Sequence, residues 1–113
     1  MASVPFRFNL SGNRYQGSVV LNNGDSSLIS TPKLPLTLAV TPGAAADLAA
    51  ATCVVEFTCS SEAEIAAETA RWIPWALGPI TGDLNPVADY FEAFTTAIRV
   101  KATAGSFTID VAA

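Results

Sequence analysis

The stretch that decides the fold is AIRVKATAGSFTIDV, residues 97–111. Ile98 and Val100 alternate there with Arg99 and Lys101. Ala104-Gly105-Ser106 has turn composition. Phe107, Ile109 and Val111 then alternate with Thr108 and Asp110. Successive side chains of a strand point to opposite faces, so each run presents one apolar face and one polar face. The stretch predicts a C-terminal β-hairpin whose apolar face is core.

The same alternation recurs upstream. Cys53, Val55, Phe57 and Cys59 share one face of a strand over 52–59, opposite Thr52, Glu56 and Thr58. Leu34, Leu36, Leu38 and Val40 line another strand, and Pro35 places its start at an edge or a strand beginning. Residues 15–21 read as a strand. Asn23-Gly24 follows, the strongest two-residue hairpin signal, and 28–31 are the return strand. Phe6 and Phe8 flank Arg7 in a shorter alternating run, closed by a turn at Ser11-Gly12-Asn13. Residues 1–31 carry a weaker core pattern and are expected as a hairpin on the domain or an arm packing elsewhere. Thr41-Pro42-Gly43, Gly78-Pro79 and Thr81-Gly82-Asp83 are further turns. Residues 44–51 are alanine-rich and are expected as a loop with at most a turn of helix. Residues 61–70 start with a capping-box pattern, Ser61 with Glu64, and Glu62 suits a helix N-terminus. Ten residues are marginal for a free helix, so a strand-joining loop with one helical turn is expected. Residues 69–76 read as a strand bent at Pro74. In 84–94 the spacing of Val87, Tyr90, Phe91 and Phe94 fits a short helix or a loop and strand. Seven or eight short strands in one domain, 1–113, predict an all-β antiparallel sandwich or jelly-roll-like barrel.

Half of the 113 residues are hydrophobic and 14% are charged, which excludes a disordered chain. A domain of this size buries a real core without disulfides or metal. The formal net charge is −4. From Asp47 to Glu92 one base, Arg71, stands among eight acids, and the other bases lie near the two ends. No basic patch marks a nucleic-acid binder. No apolar stretch is long enough to span a membrane, and Arg7 interrupts any leader-like start, so cytoplasmic synthesis is expected.

The chain has no histidine. That removes Ser-His-Asp and Cys-His nucleophile systems and the commonest transition-metal ligand. No phosphate-binding glycine motif occurs. Asn22-Asn23-Gly24-Asp25 lacks the downstream glutamate of a calcium loop. Glu62, Glu64 and Glu68 fall in an exposed loop that neither raises a carboxyl pKa nor excludes water. No catalytic residue, cofactor or metal is expected. Cys53 and Cys59 do not have zinc or redox spacing. On one strand they stand about 20 Å apart, against the roughly 7 Å that a disulfide tolerates, which predicts two buried, reduced thiols.

The most distinctive segment is RWIPW, residues 71–75. Residues three apart on a strand face opposite ways, so one tryptophan enters the core and the other points out, unless Pro74 rotates the chain or both are buried. An exposed tryptophan anchors protein partners or stacks on a sugar. Candidate interface residues are Arg71, Trp72 and Trp75, with Phe6, Arg7 and Phe8 from the N-terminal run.

From Cys53 onward the order is CVVEFTCS, EAEIAAETA, RWIPW, GPIT and finally TTAIRVKATAGSFTIDV. This resembles the small β-sandwich structural proteins of tailed bacteriophages, over about the C-terminal half. Within that group the size suits capsid decoration or cement proteins. The resemblance implies a non-enzymatic virion protein on the capsid surface. It would bind the major capsid protein at capsomer junctions, reinforce the shell and self-associate as a homo-oligomer around a symmetry axis. Neither nucleic acid nor membrane is an expected partner. The alternative is a carbohydrate-binding module of a phage tail or fibre, with Trp72 or Trp75 as stacking platform and a glycan as ligand.

Overall fold

The computed structural model describes residues 3–43, 51–75, 77–81, 87–91 and 95–113. Its elements in chain order are β1 (Asn9–Ser11), β2 (Arg14–Leu21), β3 (Ser26–Ser30), β4 (Leu36–Pro42), β5 (Thr52–Thr58), α1 (Glu62–Ala66), β6 (Trp72–Pro74), β7 (Ile80–Thr81), β8 (Val87–Phe91), β9 (Ala97–Ala104) and β10 (Phe107–Ala112). The fold is an all-β antiparallel sandwich of jelly-roll-like type. Sheet I has the order β3-β9-β5-β6, with β7 also pairing β5. Sheet II has the order β1-β2-β10-β4-β8.

Period-two patterning sets what lies between the sheets. Ile98, Val100 and Ala102 of β9 face inward, as do Phe107, Ile109 and Val111 of β10. Leu36, Leu38 and Val40 of β4 join them, with Leu21, Ile29, Cys53 and Val55. Burying a side chain of this size is worth about 1.5–3 kcal/mol relative to leaving it exposed. Together these residues form one contiguous core cluster.

The expected C-terminal hairpin is not formed. β9 and β10 belong to opposite sheets, and β9 pairs β3 and β5 while β10 pairs β2 and β4. Ala104-Gly105-Ser106 is therefore an arch across the sandwich. Gly105 has φ 79°, and a Cβ there would come within 2.5 Å of the Ala51 side chain. The Asn23-Gly24 turn is corrected in the same way: β2 and β3 also lie in opposite sheets. The two arches nest. The Gly24 N–H donates to the Ala102 carbonyl at 2.8 Å, and the Ala102 N–H donates to the Asp25 carbonyl at 2.9 Å. Both apolar faces still end in the core, because an arch buries them as well as a hairpin does.

Residues 9–30 supply β1 to β3 of the two sheets, and β1 and β2 form a short hairpin across Gly12-Asn13. The segment before them is tied down too. Val4 N–H donates to the Ser26 carbonyl, and Ser27 Oγ donates to the Val4 carbonyl. Phe6 then crosses Gly17, where a Cβ would stand 2.6 Å from the ring. Phe6 packs edge-on to Phe8, and Phe8 to Tyr15, closing the β1/β3 side of the sandwich. A second aromatic group bridges the β6/β8 side: Phe91 meets Phe57 edge-on and stacks on Trp75.

Several local expectations agree with the structure. β4 starts directly after Pro35, whose bond to Leu34 is cis. The strand runs on through Thr41 and Pro42, which the sequence placed in a turn. The 61–70 loop holds α1, one short helix with both capping-box bonds made. Of 84–94, residues 87–91 are a strand paired to β4, so a helix there is ruled out. Residues 44–50, 76, 82–86 and 92–94 lie outside the described residues, and with them most of the alanine-rich stretch, Gly82-Asp83 and Phe94.

Candidate functional site

The outward faces of the two sheets differ in chemistry. On sheet I, neighbouring positions of β3, β9, β5 and β6 bring Leu28, Arg99, Glu56 and Pro74 into one cross-strand row. Ser26, Lys101 and Val54 form the next row. Trp72 pairs Thr58 and stands diagonal to Arg99. The Arg99 guanidinium lies 4.3 Å from the centre of the Trp72 ring, a cation–π contact. Its Nε donates to Glu56 Oε1 at 2.8 Å. Three strands thus fix one Glu56–Arg99–Trp72 constellation. The loop carrying α1 rises beside it, and Ile65, Glu68 and Ala70 make the wall of an open groove of about 690 Å³.

That wall is held by its own bonds. Ser61 Oγ accepts from the Glu64 N–H, and the Glu64 carboxylate accepts from the Ser61 N–H. Arg71 Nη1 donates to Glu64 Oε2 at 3.0 Å. The Ser61 backbone bond and then Arg71 hold the Glu64 carboxyl below its ordinary pKa. Thr58 Oγ1 donates to the Arg71 carbonyl, and Ser60 Oγ accepts from the Arg71 N–H, which buries Thr58 and Ser60 beneath the loop.

On sheet II the outward positions of β2, β10 and β4 include a grid of three rows, with Arg14 of β2 outward beyond the last of them. The rows are Val20–Thr108–Thr41, Ser18–Asp110–Ala39 and Gln16–Ala112–Thr37. Asp110, at the centre, is the one charged residue of the nine. Val20 is 52% exposed.

The six candidate interface residues separate. Trp72 lies in the groove. Trp75 is 4% exposed and stacks on Phe91, so it is a core residue and not a contact surface. The spacing-of-three argument holds: one tryptophan faces in and the other out. Arg71 is exposed and paired to Glu64. Phe6 and Phe8 are half-buried and pack against the core margin, and Arg7 is exposed. Cys53 is buried as expected, and burial pushes its thiol pKa up to about 12. Cys59 is corrected: β5 ends at Thr58, so the residue leaves the inward face and is exposed. Both thiols are free. Sequence reasoning missed Glu56, Arg99 and Leu28 as groove residues. Their outward parity was readable, but their adjacency needs the strand order.

Among the described residues no group of three or more His, Cys, Asp or Glu side chains is placed to hold a metal ion. No helix among them is long and apolar enough to cross a membrane.

No protein-family model matches the chain, and no curated protein matches it in sequence. Similar solved structures exist. Peruvianin-I, a cysteine peptidase from Thevetia peruviana latex, aligns with TM-score 0.51 and 13% identity over 88% of this chain and 48% of its own. An oxalate oxidase aligns with TM-score 0.50 and 9% identity over 88% of this chain and 40% of its own. A cupin domain from Bordetella pertussis Tohama I gives TM-score 0.43 at 10% identity, over 95% and 86%. The chain spans less than half of the first two proteins. At these identities the likeness is one of fold, and the activities in those names belong to those proteins.

Proposed function

We propose that this chain is a non-enzymatic structural protein of a phage virion, a capsid decoration protein that docks on the head through the outer face of sheet II. The observation that carries the docking face is its charge depletion. Roughly a quarter to a third of a soluble surface is charged. The nine-residue grid has one charge, Asp110, among Thr, Ser, Ala, Val and Gln side chains, with Val20 exposed within it and Arg14 outside its last row. Depletion of charge marks the centre of protein–protein interfaces. A face with few charges packs against a partner without stripping water from many ions. Asp110 at its centre calls for a cation or N–H donors on the partner, since a buried unpaired carboxylate is costly.

The phage head as partner comes from the sequence resemblance over the C-terminal half. Decoration needs no reaction: many equivalent lattice sites and self-association around a symmetry axis turn modest contacts into stable occupancy. The test pairs a melting scan of expanded capsids, with and without the protein, with the copy number in purified virions. A fixed high stoichiometry and a raised capsid melting temperature are expected. A handful of copies and an unchanged shell refute decoration.

A further inference from the structure

We propose that the groove on the outer face of sheet I is a binding site for an uncharged oligosaccharide. It is independent of the docking face, which lies on the other sheet. The volume of about 690 Å³ lies within the ordinary range for small-molecule sites, about 300–1,000 Å³. Its lining carries two cations, Arg99 and Lys101, and two carboxylates, Glu56 and Glu68. The charges cancel, so a polyanion finds no net attraction there. A wholly apolar ligand would have to desolvate the Glu56–Arg99 pair. A neutral sugar has neither problem. Its hydroxyls both donate and accept, and they meet a carboxylate and a guanidinium that keeps four N–H donors beyond its bond to Glu56. Its C–H faces meet Leu28, Val54 and the side of Trp72 away from Arg99, which covers the other ring face. The ion pair also orients the platform, because Arg99 is held by Glu56 and lies against the indole. Leu28 is 46% exposed beside these groups.

The experiment screens the full chain on an array of uncharged, sialylated and sulfated oligosaccharides, then titrates the best uncharged oligosaccharide by calorimetry. Trp72→Ala should weaken binding about tenfold or more. Leu28→Arg, which fills the groove and sets a second cation directly across from Arg99, should weaken it comparably with the protein still folded at the assay temperature and with capsid association intact. Three results overturn the site: no uncharged oligosaccharide binds, only acidic glycans bind, or both variants bind like the parent. Loss of capsid association in Leu28→Arg also overturns it, because the groove would then be a protein-docking surface. Failure of capsid docking alone, with sugar binding retained, removes only the decoration reading.

Discussion

The outward faces of the two sheets are built on the same scaffold and share one core, yet they differ in kind. Sheet I carries Arg99, Lys101 and Glu56 around Trp72, under a wall made by the α1 loop. The grid on sheet II carries uncharged side chains around Asp110, with Arg14 outside its last row. Arg99 and Thr108 occupy equivalent situations, each outward on a strand whose next residues are fully buried. Packing does not choose between them, since neither reaches the core. The difference bears on what each face can meet: an ion-paired groove suits a small polar ligand, and a grid with one carboxylate suits another protein.

The comparison holds only if strand parity is right, and breaking parity has the largest expected effect. Val100→Asp places a carboxylate at a fully buried position of β9. It should cost about 4 kcal/mol or more, seen as a collapse of the melting temperature. Thr108→Asp, outward on β10, should cost no more than about 1 kcal/mol. Equal effects from the two would refute the inward and outward assignment.

The inside–outside contrast extends to the cysteines. Cys59 should react at once with a thiol reagent in the native protein, and Cys53 only after unfolding. The Cys53 pKa rises from 9.0 to about 12 because burial disfavours the thiolate. Below pH 9 both folded and unfolded chains hold the proton, and stability is unaffected. Between pH 9 and 12 only the unfolded chain releases it, so stability should fall by about 1.4 kcal/mol per pH unit. Denaturation of Cys53→Ala should lack that component of the alkaline slope. Identical slopes for the variant and the parent would place Cys53 outside the core.

A subtler change separates the two outer faces. Thr108→Lys adds a cation to the grid of sheet II without disturbing the core. Capsid association should weaken about tenfold or more, while sugar binding and melting temperature stay the same. Unchanged capsid association would move the docking face elsewhere.

Much of this contrast was legible in the chain, and the reason for the remainder is physical. Alternation in 97–111 fixes which side chains go in, because that depends only on backbone geometry. It does not fix the partner strand. Gly24 and Gly105 both take positive φ, which serves an arch as readily as a hairpin, and pairing of β2 with β10 and of β3 with β9 decides the matter over long range. Cys59 was misplaced because the alternation continues one residue past the strand. The true boundary comes from Thr58, drawn under the α1 loop by its bond to Arg71. Spacing offered the split between Trp72 and Trp75 but left burial of both open, and the structure decides for one in and one out. The groove was not readable, since Glu56 and Arg99 stand 43 positions apart.

The smallest expected effect sharpens the account of the groove wall. α1 ends with Glu68 in the left-handed region, φ 60°. Thr69 N–H donates to the Glu64 carbonyl at 2.9 Å and Glu68 N–H to the Ile65 carbonyl at 3.1 Å, the bonding of a Schellman cap. Glycine is the usual residue at such a position, because a Cβ there crowds the neighbouring carbonyl at a cost of about 1–2 kcal/mol. Glu68→Gly relieves that crowding and increases the backbone freedom of the unfolded chain, two effects of opposite sign. The net gain should be about 0.5–1 kcal/mol, read as a higher midpoint of urea denaturation. Glu68→Gln keeps the Cβ and removes the charge, so its midpoint should match the parent. If the carboxylate serves the sugar site, Glu68→Gly raises stability while weakening sugar binding, and Glu68→Gln weakens binding alone. A destabilised Glu68→Gly would mean that the side chain holds the wall through contacts worth more than the strain, and the cap would no longer explain where the helix stops.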